Sequence, residues 1–324
     1  DKSRLMVFKI NNRNRQKYVV TTKLFNDKLN LLKRTTLTMP MEDRHEYLEE
    51  FHLDNEGDLV FTKFYRQNSD IISKATLVVK PAGVDSFVTH PLTIEKNYLD
   101  ELHIKVDNHN KRYYVTSFYY KERKGNIEGL YYYIIDKITQ KPLMENTVAF
   151  SEELRKEARG ESSTKYAFND YFIRNVITKK DGGFIIGSEA FYTSSRYNAW
   201  NRWDYLYGSP YYTSSLNQYY YSPYYNSMWY RSRFFNNSSS VRYHADNIAI
   251  LSFDKDGKLQ WNTVIAKGQF NDEGDELISY QLMNTGGQLH FLFNNTEKRI
   301  SLLNDYTLAP DGQINRNPTL KNLD

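Results

Sequence analysis

The chain has 324 residues, of which 40% are hydrophobic and 15% aromatic, with 28 Tyr, 18 Phe, no Cys and a formal net charge of +4. The lack of cysteine excludes disulfides, thiolate zinc sites and cysteine nucleophiles. No apolar run reaches the 18 residues of a spanning helix, and so mild a net charge does not by itself predict a polyanion partner.

Residues 4–39 read as three strands, LMVFKI, KYVVTTKLF and LNLLKRTTL, stopped by Pro40. The chain starts at Asp1 without a secretory signal pattern, and this first unit lacks an opening strand, so an upstream part is expected. MEDRHEYLEEF (41–51) has the charges of a helical turn, yet the strand rhythm around it predicts a connection and a strand. Turn residues then recur at Asp27, Gly83, Thr139, Asp256 and Asp311, spaced 56, 56, 117 and 55 residues apart. A second series, at Gly57, Asn110, Gly182 and Gly286, falls between them, each turn preceding an apolar strand. In FDKDGKLQW (253–261) the Asp-Gly pair supplies the positive φ angles of a hairpin.

Two hairpins in about 55 residues make four strands per repeat, and a radial repeat of four antiparallel strands is a β-propeller blade. The expected fold is therefore all-β: a single β-propeller over 1–324 built from four-stranded antiparallel blades. Five are visible, closing as five or belonging to a larger ring. The units are placed at 4–39 (incomplete), 44–91, 99–148, 168–264 and 275–316. SEELRKEARGESSTK (151–165) reads as a surface helix or loop between blades with a solvated face.

The long interval holds an insertion at 192–243, projecting from the blade at 168–264. It contains 13 of the 28 tyrosines and Trp200, Trp203 and Trp229, diluted with Ser, Asn, Gly and Pro. It is expected to leave a strand at Phe191 and rejoin the next at Asp246. Tyr192–Ala245 carries five arginines, no lysine and one acid, Asp204, so it accounts for the net charge while the remainder is neutral overall. Such density of rigid amphipathic rings with stacking arginines fits a recognition surface, with Trp200, Trp203, Tyr205, Tyr207, Tyr220, Tyr224, Trp229, Arg231 and Arg233 as candidate contact residues. The bland alternative is a self-packed loop. Single-stranded nucleic acid fits poorly, because five arginines without lysine make a thin phosphate track.

Catalytic signals are sparse. The seven histidines show no metal spacing, no nucleophile elbow or phosphate loop is present, and the Asp-Gly loops lack the late Glu of a calcium hand; NDEGDE (271–276) is the most acidic loop. A glycan-hydrolysing funnel would need paired carboxylates, for which Glu189 and Asp246 are the candidates. Either could instead satisfy strand-edge amides. No cofactor and no metal site are expected.

The stretch KKDGGFIIGSEAFY (179–192), the Tyr/Asn-rich insertion, ADNIAILSFDKDGKLQWNTVIAKGQ (245–269) and QLHFLFNN (288–295) together resemble a family of poorly characterised envelope proteins of Bacteroidota. That family carries a "DGG...GEQYY" strand, a variable tyrosine-rich loop, an "NDI...DGKIEW...IPK.Q" hairpin and a "YFIFND" strand. This chain departs from it at Ser188-Glu189-Ala190, Ile265-Ala266-Lys267 and Asn294-Asn295. The resemblance implies an exported, propeller-like protein, periplasmic or at the cell surface and associated with the outer membrane, without an established activity. The expected function is a non-catalytic binding or scaffolding module that contacts a protein partner, for instance in an outer-membrane complex, through the insertion. A glycan-binding or glycan-hydrolysing propeller, and a structural subunit of a surface assembly, are the alternatives.

Overall fold

The computed structural model describes residues 3–13, 16–66, 71–94, 96–123, 125–160, 163–195, 241–272, 275, 277–297, 300–317 and 320–321. The fold is all-β and its described strand pairs are antiparallel. The chain divides into two compact units, meeting in sequence at Val148 and Ala149.

In the first unit, β1 (Arg4–Arg13), β2 (Lys17–Asn26) and β3 (Leu31–Pro40) form a three-stranded sheet. Next come β4 (Glu46–Leu53), β5 (Leu59–Arg66), β6 (Ile72–Lys80) and β7 (Val88–Pro91), paired in chain order. A two-residue strand, β8 (Tyr98–Leu99), joins this meander to β9 (His103–Asp107), β10 (Arg112–Tyr120), β11 (Ile127–Asp136) and β12 (Pro142–Ala149) by pairing with both β6 and β10. The segment expected to compete with helix, 41–51, contributes β4: Tyr47 stacks on Phe64 and Leu48 is buried, and these contacts outweigh its charge pattern.

The second unit opens with a short helix, α1 (Glu152–Ala158), capped by the Ser151 hydroxyl, which accepts from the Leu154 amide. It is less solvated than its charges suggest: Leu154, Arg155 and Ala158 are buried. β13 (Tyr171–Thr178), β14 (Phe184–Ser195), β15 (Val241–Phe253) and β16 (Leu259–Asn271) form one meander. β17 (Gln281–Asn284), β18 (Leu289–Glu297), β19 (Ile300–Leu308) and β20 (Ile314–Arg316) form the next, and β21 (Leu320–Lys321) adds to β19.

The turns explain the period. Asn26, Asp54 and Asp254 each donate their backbone amide to the carbonyl four positions on, while the amide three positions on donates to the opening residue's carbonyl. The opening side chain then accepts amides from within its own loop: Asp54 Oδ1 takes those of Glu56, Gly57 and Asp58, and Asp254 Oδ1 those of Asp256 and Lys258. The Asp therefore caps the loop, and only the fourth residue turns to positive φ, as at Gly57 (95°) and Gly257 (76°). Lys111, Gln140 and Leu29 take the same conformation without being glycine.

Central strands are buried on both faces, as in β10 and β11, whereas the outer strands β7 and β12 are half-exposed, which is where Pro91 and Pro142 are tolerated. Successive sheets pack face to face within each unit. Tyr18, Val20 and Met39 of the first sheet meet Leu48, Phe61 and Val78 of the second; Ile248, Ile250 and Ile265 of β15–β16 meet Phe291, Phe293 and Leu308 of β18–β19.

Candidate functional site

Two bulges shape the middle of the β13–β16 sheet. The β14–β15 register slips between Glu189 and Phe191, and the β15–β16 register slips between Asp246 and Ile248. At the first, the Phe191 amide leaves the ladder and donates to the Asp170 carbonyl. Bulges re-aim side chains: Glu189 meets Lys267 of β16, whereas Asp246, opposite Gly268, meets Tyr192.

The outcome differs for the two. Glu189 is wholly buried: its Oε1 lies 2.9 Å from Lys267 Nζ, its Oε2 3.3 Å from Arg174 Nε, and the Ser279 hydroxyl donates to Oε2. Lys267 Nζ donates hydrogen bonds to the Ala245 carbonyl (2.6 Å) and Gln269 Oε1 (2.7 Å), and its contact with Glu189 Oε1 is an ion pair. Burial lowers the lysine's pKa, opposed mainly by Glu189. Asp246 is half-buried and accepts from the Tyr192 hydroxyl at 3.0 Å; burial raises its pKa against the pull of that bond. In this arrangement Glu189 is a buried counter-ion with no open face toward a substrate. The chemistry it supports is charge compensation in a sheet interior, where its oxygens meet a lysine, an arginine and a hydroxyl and no strand-edge amide among the described contacts.

Beyond these bulges the sheet continues outward as a three-stranded tongue. The β14–β15 ladder does not end at Phe191 and Asp246 but runs on through Tyr192↔His244 and Thr193↔Tyr243 to Ser195↔Val241, with β16 alongside as far as Tyr243↔Asn271. One flank carries a ladder of rings: Tyr192 stacks on His244 (centroids 4.5 Å apart, 7° between planes), and His244 neighbours Phe270 at 6.5 Å. The Arg242 guanidinium lies 4.4 Å over Phe270 and forms a two-pronged pair with Asp272 (2.6 and 3.0 Å). Phe270 is 61% exposed, so this guanidinium-capped ring faces solvent. Burial, the larger influence, lowers the His244 pKa, and Ser194 Oγ lies 3.0 Å from its Nε2.

The insertion joins the two strands at the end of this tongue. Trp200, Trp203, Tyr205, Tyr207, Tyr220, Tyr224, Trp229, Arg231 and Arg233 all lie outside the described residues. Of the acidic loop 271–276, Asp272 is held by Arg242 and Asp275 is buried, while residues 273, 274 and 276 lie outside the described set. Among the described residues no three His, Asp or Glu side chains are grouped to hold a metal ion, and no helix is long and apolar enough to cross a membrane.

Sequence reasoning missed Lys267, Gln269 and Arg242. The first two were marked by strand parity, since Ile265, Lys267 and Gln269 alternate inward with Ala266 and Gly268 outward. A lysine on a core parity announces a buried partner.

No family model and no curated protein matches the chain. Among solved structures, a single-residue variant of the Synechocystis apocarotenoid oxygenase aligns at 10% identity and TM-score 0.43, covering 99% of this chain and 58% of the other. An ACO/RPE65 chimera aligns at 11% identity and TM-score 0.45, and the cobalt-substituted Synechocystis ACO at 10% and 0.41. The chain thus spans little more than half the length of these neighbours. At such identities and scores the likeness assigns neither a fold family nor a chemistry.

Proposed function

We propose that this chain is a β-propeller-type binding or scaffolding module of the bacterial cell envelope, exported and associated with the outer membrane, which engages a protein partner through its aromatic insertion. Each four-stranded meander acts as a blade in this reading, and the serial face-to-face packing inside each unit supports it.

The observation that carries the proposal is the tongue. A loop of no consequence needs no rigid mount, yet three strands are prolonged together past the core, and their outermost described side chains include a solvent-facing Phe270 clamped by Arg242. Strand pairing up to Ser195↔Val241 holds the two points at which the chain leaves and rejoins the sheet, and ends already held in place leave less entropy to lose on binding. Exposed aromatic and arginine side chains are the usual anchors of protein interfaces.

The test replaces residues 196–240 by a short turn and repeats affinity capture from envelope extract. Loss of the captured protein, with thermal unfolding unchanged, is expected. An identical set of captured proteins would overturn the reading. Phe270→Ala is the milder form, expected to weaken capture without abolishing it.

A further inference from the structure

From a different surface, in the other unit, we infer that the β1–β3 sheet is a peripheral docking face for an anionic lipid bilayer, with the β2–β3 hairpin tip entering the headgroup region. Residues 3–40 contain nine Lys and Arg against a single acid, Asp27, a local excess that the near-neutral average of the chain conceals. Lys9, Lys17, Lys23, Lys28 and Arg34 are exposed, and among the described residues none of them is in an ion pair. One acid from outside the sheet, Asp85, is paired with Lys33 at 2.8 Å.

The face is ordered along its length. Cross-strand register aligns Leu5 with Phe25 and Leu31 at the tip end; the next row on the same face is Val7, Lys23 and Arg34; the next is Lys9, Thr21 and Thr36. Leu5, Val7, Leu31 and Leu32 are 48–54% exposed. On β1 and β2 each row lies two strand residues behind the last, or about 7 Å, with one bulge residue added on β3 between Leu31 and Arg34. Apart from Asp27 and Lys28 in the turn itself, apolar side chains lead and cations follow at the depth separating acyl boundary from headgroup phosphate, since interfacial elements bury to about 5–10 Å.

The tip supplies a second, independent observation. Asn26 Oδ1 accepts the Lys28 and Asn30 amides and holds the turn rigid. The left-handed position in it is occupied by Leu29 (φ 60°), which is 68% exposed. Gly57, Gly182, Gly257 and Gly312 fill corresponding turn positions elsewhere, while Lys111 and Gln140 are polar. A leucine there accepts backbone strain and exposes apolar surface, two costs with no return inside the fold. A bilayer supplies the return, and the lysine collar selects an anionic one.

The full chain should be floated with vesicles of pure phosphatidylcholine and with vesicles containing about one-third phosphatidylglycerol, at low and high salt. Binding is expected only to the second, weakening with salt. Lys23→Glu is expected to reduce partitioning by about fivefold or more. Leu29→Gly is the decisive variant, because it removes the apolar side chain while relieving the strain, so weaker partitioning should accompany an unchanged or higher Tm. Absence of vesicle binding, or partitioning indifferent to Leu29→Gly and Lys23→Glu, would overturn the inference. So would equal retention of parent and Leu29→Gly on a heparin column with no vesicle preference, which would reduce the face to a general polyanion patch. Self-association lost on Leu5→Ser, seen by light scattering without vesicles, would make it an interface between copies and overturn the inference too.

Discussion

Lys267 and Lys137 are both buried lysines held by carboxylates, yet their environments act on them in opposite directions. Lys267 lies in a sheet interior with one carboxylate, Glu189, which it shares with Arg174; burial prevails and its pKa falls. Lys137 lies where two turns meet, with Asp54 at 2.5 Å, Asp58 at 3.9 Å and Glu56 also in contact; burial opposes, but the bonds to Asp54 and Glu56 prevail and its pKa rises. The difference is access. Glu189 is wholly enclosed, whereas the Glu56 side chain is 46% exposed, so the turn cluster keeps part of its hydration while the sheet cluster relies on protein groups alone. Turn tips can gather charge cheaply, and strand interiors can do so only where bulges and a ring of acceptors compensate.

The largest effect should come from Lys267→Met. It strands a wholly buried carboxylate beside Arg174, and urea unfolding should register a loss of about 3–5 kcal/mol. The double variant Glu189→Leu with Lys267→Met should recover much of that, since removing both charges is far less costly than removing one. If the single variant were as stable as the parent, the distinction between enclosed and solvated clusters would collapse.

Lys137→Met comes second, at about 1–3 kcal/mol. Asp54 would keep the Tyr113 hydroxyl at 2.7 Å and three loop amides, so it is not left bare. A cost equal to that of Lys267→Met would mean that the turn cluster is as dry as the sheet cluster.

The periodic part of this molecule was legible because its cause is local. Asx capping and one left-handed residue three or four positions later recur along the chain, and strand bounds near 4–40, 46–91, 103–149, 171–271 and 281–316 follow the turn spacing. What escaped is non-local. Glu189 and Asp246 were visible as carboxylates on strands, but the pairing of Glu189 with Lys267, Arg174 and Ser279 depends on bulges that no spacing encodes. From sequence alone the strands end at Phe191 and Asp246, because YTSS and VRYH lack clear alternation; they pair with each other, and β16 supports the second as far as Tyr243. The basic first sheet was hidden by averaging: nine cations in residues 3–40 are offset by acids elsewhere.

Acid titration sharpens the comparison through Glu56, whose pKa is lowered to about 2, first by its bond to Lys111 and then by Lys137. A depressed carboxylate stabilises the fold above its unfolded value of 4.5 and loses that contribution as pH falls through about 2. Thermal unfolding of Glu56→Gln against parent should therefore show a gap at neutral pH that closes between those limits. Solvent screening keeps the gap modest. A gap that is constant with pH would mean that packing, not charge, is what Glu56 contributes.

Asp246 should give the smallest effect, and one of opposite sign. Burial raises its pKa, with the Tyr192 hydroxyl pulling the other way, so at neutral pH the folded protein carries an ionised group it would rather protonate. In the window above 3.8 and below the raised value, the folded state binds more protons than the unfolded, and stability increases as pH falls. Asp246→Asn removes this penalty while keeping an oxygen for Tyr192, so it should match or slightly exceed the parent at pH 7 and converge with it below pH 3.8. The paired measurement is the informative one. Glu56→Gln starts below the parent and Asp246→Asn at or above it, and both differences should vanish in acid. Were Asp246→Asn to lose stability at neutral pH, its charge would be a needed counterweight to Lys267, and the sheet cluster would hold two working carboxylates instead of one.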